Sequence, residues 1–245
     1  MIKPSFRKMP KVNAQPRIVG GEVVPPGSVF HLFTVRVLPS KCGGSLISPN
    51  FVLSAAHCNR PELPTTSVVV RDPLDKKNDK ILKVISTLNH PKYVRKQLPK
   101  AIMDLAVKID KIFAIFSYAF YDFAIFKLEM PFKLFGFFPC LPNKNDQFVG
   151  KVVTASGWGM TEVSDSQDRK QSDVLKYTIL TAISDTECAE ILAKQYYGIN
   201  ILNFVDIKTE MGVCADGRKT NTSICYGDSG GCYQIFFFQF TFYDL

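Results

Sequence analysis

Two short stretches of this 245-residue chain hold side chains suited to covalent chemistry. The run SAAHC at 54–58 sets His57 beside Cys58, and the run CYGDSGG at 225–231 sets Ser229 among Gly227, Gly230 and Gly231. A serine hydroxyl at its free pKa is a poor nucleophile. It needs a base within hydrogen-bond reach and donors aimed at the oxyanion that develops when a carbonyl is attacked. Histidine is a base that works near neutral pH. The glycines let the backbone turn tightly, so that the N–H groups of Gly227 and Ser229 can converge on one point. Each stretch alone also has a bland reading: a histidine packed beside a disulfide, and a Gly-rich β-turn without chemistry. Their joint occurrence favours acyl transfer.

The third group such chemistry uses is a carboxylate that holds the imidazole in one tautomer. Asp104 heads DLAVKI and Asp122 heads DFAIFKL, an internal echo that offers two candidates.

Strands must position these groups. Short Val, Ile, Leu and Phe runs alternate with Pro, Gly, Asn and Asp clusters: FTVRVLP, GGSLISPNFVLSA, TSVVVRDP, KVVTASGWG, LKYTILTAIS. This rhythm predicts an all-β sandwich or barrel. One short helix is predicted near SDTECAEILAKQY, with Ser184 as its cap. Residues 1–16 hold Pro4, Pro10 and Pro16 among scattered basic residues and read as an extended leader, with the body of the chain beginning at RIVGG.

A chain of this length with 46% hydrophobic residues can bury a substantial core. The formal charge of +8 is concentrated at the start, where Lys3, Arg7, Lys8, Lys11 and Arg17 stand with no acid among them. The remaining net charge from Ile18 onward is +3, the formal +8 less those five, which argues against a nucleic-acid partner. No apolar run is long enough to span a bilayer, and MIKPSFRKMP lacks the apolar region of a signal peptide. Seven cysteines without a CxxC pair argue against zinc and for disulfides in an oxidising compartment.

The ordered motifs RIVGG, CGGSLIS, VLSAAHC, DFAIFKLEMPF, PCLP, SGWG and GDSGG resemble a trypsin/chymotrypsin-type serine endopeptidase over residues 17–231. The resemblance implies an all-β fold of two packed antiparallel six-stranded β-barrels with the active site between them. It implies Ser229 as nucleophile, His57 as general base and then acid, an aspartate as orienter, and Gly227 and Ser229 as the oxyanion hole. Residues 1–17 are then a propeptide and 18–245 the protease domain. An activating protease cuts after Arg17, and the freed Ile18 ammonium pairs with Asp228. Disulfides Cys42–Cys58 and Cys188–Cys214 are implied, as are a protein or peptide substrate, an extracellular monomer, and no metal, organic cofactor or membrane. Ser223, six residues before the nucleophile, stands at the base of the specificity pocket, where an aspartate would select Lys or Arg. Large apolar or small side chains are therefore the expected preference on the acyl side of the cut bond.

The sequence departs from the family in three places. A separation of roughly 45 residues between base and acid favours Asp104, which is 47 residues beyond His57, whereas Asp122 is 65 beyond it. The downstream run DFAIFKLEMPF into PCLP favours Asp122, which is preferred for the chain as written. The stretch 108–125 reads as an insertion, and translated intron would explain it; its removal restores DLAVFKLEMPF and makes Asp104 the acid. The Phe-rich tail 233–245 departs from the further strands and helix of the family, so the second barrel is expected to be incomplete. Cys140, Cys225 and Cys232 lack evident partners, and the SAAHC and GDSGG motifs leave two rivals to an active enzyme: a non-catalytic binding homologue and a mis-spliced product without function. A sequon, NTS at 221–223, is read as chance.

Overall fold

Alternation sets the strand faces. In AIFKL at 124–128, Ala124, Phe126 and Leu128 point inward while Ile125 and Lys127 face solvent, the period of two that a half-buried strand requires. TVRVL at 34–38 likewise buries Val35 and Val37, and burial of such side chains contributes about 1.5–3 kcal/mol each. The structure, a computed structural model, describes residues 20–25, 28, 34–60, 62, 66–71, 79–97, 117–132, 138–139, 141–143, 146–160, 171–195, 213–224, 227–235 and 238–241.

Fourteen strands occur among the described residues. They are β1 (Glu22–Val23), β2 (Thr34–Leu38), β3 (Cys42–Ser48), β4 (Phe51–Ser54), β5 (Ser67–Arg71), β6 (Asp79–Asn89), β7 (Val94–Gln97), β8 (Ser117–Phe120), β9 (Ala124–Leu128), β10 (Val152–Gly157), β11 (Lys176–Ala182), β12 (Ala215–Asp216), β13 (Cys232–Ile235) and β14 (Phe238–Thr241). One helix, α1 (Asp185–Gln195), follows β11. Its start matches the sequence expectation: the Glu187 N–H donates to Ser184 Oγ at 3.1 Å, and Asp185 and Glu187 place acids in the first turn. No helix of the described residues is long and apolar enough to cross a membrane.

The first six-stranded unit is a closed antiparallel barrel in the order β2-β3-β4-β9-β6-β5. Its core is Val35, Val37, Leu46, Val52, Val68, Val70, Phe126 and Leu128. The second unit is a six-stranded sheet, β1-β11-β10-β13-β14 with β12 on β11, open rather than closed among the described residues. It buries Val153, Ala155, Leu180 and Ala182 on one cluster and Val24, Trp158 and Leu175 on another. A buried hydrogen bond of 3.0 Å between Thr34 Oγ1 and Ser156 Oγ joins the two units.

Strands run through both atypical stretches. Ala124 and Ile125, the last residues of the stretch read as an insertion, pair with Ser54 and Leu53 inside the first barrel. Residues Ser117–Phe120 form a hairpin partner for β7. In the tail, Tyr233 and Gln234 pair with Ala155 and Thr154, and β14 folds back on β13. The leader 1–17, Asp104, Cys140 and Cys225 lie outside the described residues.

Candidate active site

Strand register assembles the first half of the site. β4 and β9 are antiparallel with Ser54 opposite Ala124, so residues just after β4 and just before β9 emerge at the same end of the barrel. His57 sits three residues beyond Ser54 in a short 3-10 turn, Ala56–Cys58, and Asp122 sits two before Ala124. The His57 backbone N–H donates to Asp122 Oδ1 at 2.8 Å, and its ring Nδ1 lies 2.6 Å from Oδ2. A carboxylate accepts, so Nδ1 carries the proton and Nε2 presents a lone pair. Asp122 is buried at 3% exposure while the imidazole keeps 22%, an arrangement that shields the orienting bond and leaves the ring edge open.

The residues around Asp122 are braced. Tyr121 takes a left-handed φ of 52° and stacks on His90 with ring centroids 5.0 Å apart. The His90 backbone N–H donates to Phe123 O at 2.8 Å. No motif in the sequence pointed to His90 or Tyr121; their role depends on pairing between β6 and β9, where Asn89 faces Ala124.

The Ser229 turn docks onto the same barrel end. Gly43 N–H in β3 donates to Ser229 O at 2.6 Å, and a Cβ on Gly43 would stand 3.0 Å from Gly231 N. Gly230 has φ 75°, and a Cβ there would collide with Ser54 Oγ and stand 2.8 Å from Ala55 N, just upstream of His57. Only glycine allows this approach. Gly227, with φ 94°, lies directly against the side-chain amide of Gln171. Asp228 is wholly buried and its Oδ1 accepts the Gly159 N–H at 2.7 Å. A Cβ on either Gly157 or Gly159 would run into that carboxylate, which gives the glycines of SGWG a physical reason.

Both implied disulfides form, Cys42–Cys58 and Cys188–Cys214. The first closes a loop beside the imidazole, and a ring nitrogen of His57 lies within 4.8 Å of both sulfurs. Sulfurs shared in a disulfide offer no thiolate, so this cluster is not a metal site by its chemistry. Ser223 is exposed, its Oγ donating to Ile224 O at 2.9 Å. Arg17 and Ile18 fall outside the described residues, but Gly20 packs against the Asn221 carbonyl and stands close to Thr222, and β1 pairs with β11. A separate cavity of about 530 Å³, lined by Val149, Thr181, Glu187, Asp216 and Arg218 among others, includes none of these groups.

A closed antiparallel barrel, a second antiparallel sheet packed on it, and His57, Asp122 and Ser229 at one barrel end define a chymotrypsin-type architecture. The family model described as Trypsin matches residues 18–234, and the chain belongs to that family. It is 29% identical to granzyme B of Rattus norvegicus over 233 residues, 93% of this chain and 80% of the relative. It is 29% identical to trypsin 5G1 of Aedes aegypti over 222 residues, 88% and 70%. Chymase of Cavia porcellus is 26% identical over 222 residues, 87% and 74%. Among solved structures, neuropsin, a serine protease expressed in the limbic system of mouse brain, superposes with a TM-score of 0.62 at 22% identity, covering 89% of this chain and 83% of its own, a likeness of fold.

Proposed function

We propose that this chain is a secreted serine endopeptidase made as a zymogen, acting through Ser229, His57 and Asp122. The observation that carries the reading is the bidentate hold of Asp122 on His57, at 2.8 and 2.6 Å, at the barrel end where the Ser229 turn docks. In this mechanism His57 Nε2 takes the Ser229 hydroxyl proton as Oγ bonds to the scissile carbonyl carbon. The oxyanion is held by the N–H groups of Gly227 and Ser229. Collapse of the tetrahedral intermediate breaks the C–N bond, and His57 returns the proton to the leaving amine. Water then enters by the same route, losing a proton to His57 and releasing the acid from the acyl-serine.

Activation follows cleavage of the Arg17–Ile18 bond by another protease, after which the new ammonium pairs with Asp228. The docking of Gly20 beside Asn221 and Thr222 supports a path for that segment toward the site. Ser223 at the pocket base favours an apolar over a basic side chain on the acyl side. The substrate is an extracellular protein or peptide and the enzyme acts as a monomer without metal or cofactor.

The test is labelling with a fluorophosphonate after cleavage at Arg17. Label is expected on the cleaved chain and absent from Ser229→Ala. Asp122→Asn lowers the labelling rate by about 10³–10⁴-fold, while Asp104→Asn leaves it unchanged. A folded, cleaved chain that takes no label refutes the enzyme reading, and a reversed ranking of the two aspartates moves the orienting role to Asp104.

A further inference from the structure

Gly227 is covered on its outer side by Gln171, and two cations gather around that contact. Gln171 Nε2 donates to Lys41 O at 2.8 Å, and its Oε1 accepts from Arg36 at 3.4 Å. The Arg36 guanidinium also lies 5.9 Å from the Trp158 ring centroid, which holds it in place. Lys41 sits at the β2–β3 corner with φ 60° and is exposed. Among the described residues neither Lys41 nor Arg36 faces a carboxylate in an ion pair. Two uncompensated cations on one side of the site are a surface with a defined ligand preference.

The side of the cleft follows from the chemistry. His57 must reach the leaving nitrogen, so the polypeptide beyond the cut bond departs past the histidine and the Cys42–Cys58 bridge. Lys41 is the residue before Cys42, and Arg36 lies opposite Gly43 in the β2–β3 register. Both therefore flank the leaving segment. An extended substrate advances about 3.3–3.6 Å per residue, which brings its first and second side chains beyond the cut bond alongside this corner.

Resting on the proteolytic reading above, we infer that Lys41 and Arg36, fixed by Gln171 against Gly227, select substrates with an Asp or Glu one or two residues beyond the scissile bond. Exposed pairs of opposite charge are individually weak, and two acting together give roughly a fivefold preference over Lys at those positions. The preference fades with salt, because the screening length falls from about 10 Å at 0.1 M to about 3 Å at 1 M.

The experiment uses two internally quenched peptides that differ only in Asp or Lys at these two positions. The cleaved enzyme is expected to favour the Asp peptide roughly fivefold in kcat/KM. Lys41→Glu, a change at an exposed side chain, abolishes or inverts that ratio. Fluorophosphonate labelling, which involves no leaving peptide, stays at the unmodified rate in Lys41→Glu. The same peptides are also measured for equilibrium binding to the Ser229→Ala chain by fluorescence anisotropy, a readout that needs no turnover. Preferential binding of the Asp peptide that Lys41→Glu removes supports the inference even if labelling fails. Equal handling of both peptides, or a ratio untouched by Lys41→Glu, overturns it.

Discussion

Replacing Gly159 by alanine tests how strictly the buried Asp228 carboxylate is packed. A Cβ at Gly159 would collide with Asp228 Oδ2 and Cγ and stand 2.6 Å from Oδ1, where carbon and oxygen need well over 3 Å. Neither side has room to give. The Asp228 carbonyl accepts the Gly231 N–H at 2.9 Å, and the next carbonyl, of Ser229, accepts Gly43 N–H at 2.6 Å. The Gly159 N–H to Oδ1 bond, 2.7 Å and wholly buried, must lengthen or break. A hydrogen bond to a charged group contributes about 1.5–3 kcal/mol, and overpacking a well-filled site costs about 1–3 kcal/mol. Gly159→Ala is therefore expected to lose about 3–5 kcal/mol in urea unfolding. In the cleaved chain it is expected to slow fluorophosphonate labelling at least tenfold, because Asp228 is the residue before the nucleophile. Gly150→Ala is the control: its Cβ meets nothing within 4 Å, so only the left-handed φ of 80° penalises it, by about 1 kcal/mol, and labelling is unchanged. A Gly159→Ala chain within 1 kcal/mol of the original and labelled at the original rate refutes the packing argument.

Three further outcomes are expected. Thr34→Val strands Ser156 Oγ between the two units and lowers stability by about 1–3 kcal/mol; adding Ser156→Ala recovers part of the loss, and strictly additive losses in denaturant unfolding contradict the coupling. Burial, then the hydrogen bond to Glu22, push the Tyr177 hydroxyl up to about 12 from 10.0. Because the folded value is raised, the contact between β1 and β11 supports folding below pH 10 and is lost as pH rises through about 12; Tyr177→Phe removes the last-ionising tyrosine step from an ultraviolet titration, and an unaltered last step refutes the assignment. Converting both Cys42 and Cys58 to serine opens a loop with a sequence separation of 16 and lowers stability by about 3 kcal/mol; a thermal midpoint equal to that of the parent chain contradicts it.

How much of this was legible in the sequence depends on how far apart the cooperating atoms lie along the chain. The catalytic candidates His57 and Ser229 each sit in a compact signature, and the all-β rhythm and the Ser184 cap of α1 are local patterns as well. The two disulfides came from the family resemblance, and both form. The aspartate was different in kind. Asp104 and Asp122 head nearly the same string, and neither composition nor spacing could rank them, because contact with His57 is settled by the β4–β9 register that sets Ser54 opposite Ala124. The same logic hid Gln171, His90 and Tyr121. Gln171 reaches Gly227 through its bridge to Met160, and the His90–Tyr121 stack follows from β6 lying beside β9. Even SGWG, plain as a motif, showed no reason for its glycines until Asp228, 69 residues beyond Gly159, was seen filling the space a methyl group would need.

A physical division of labour explains that split. Nucleophile and base must have particular chemistry, and residue type records it directly. Groups that aim them need only the right shape at the right place, which many residues satisfy and which the sheet register decides. Specificity on the leaving-group side belongs to the second class: Lys41 and Arg36 look like ordinary surface charges in the sequence, and only the corner between β2 and β3, pinned by Gln171 beside Gly227, turns them into a pair facing one part of a substrate. In a chain of this family, substrate choice beyond the pocket base is therefore to be sought in charges that the strand register brings to the oxyanion turn without a compensating acid.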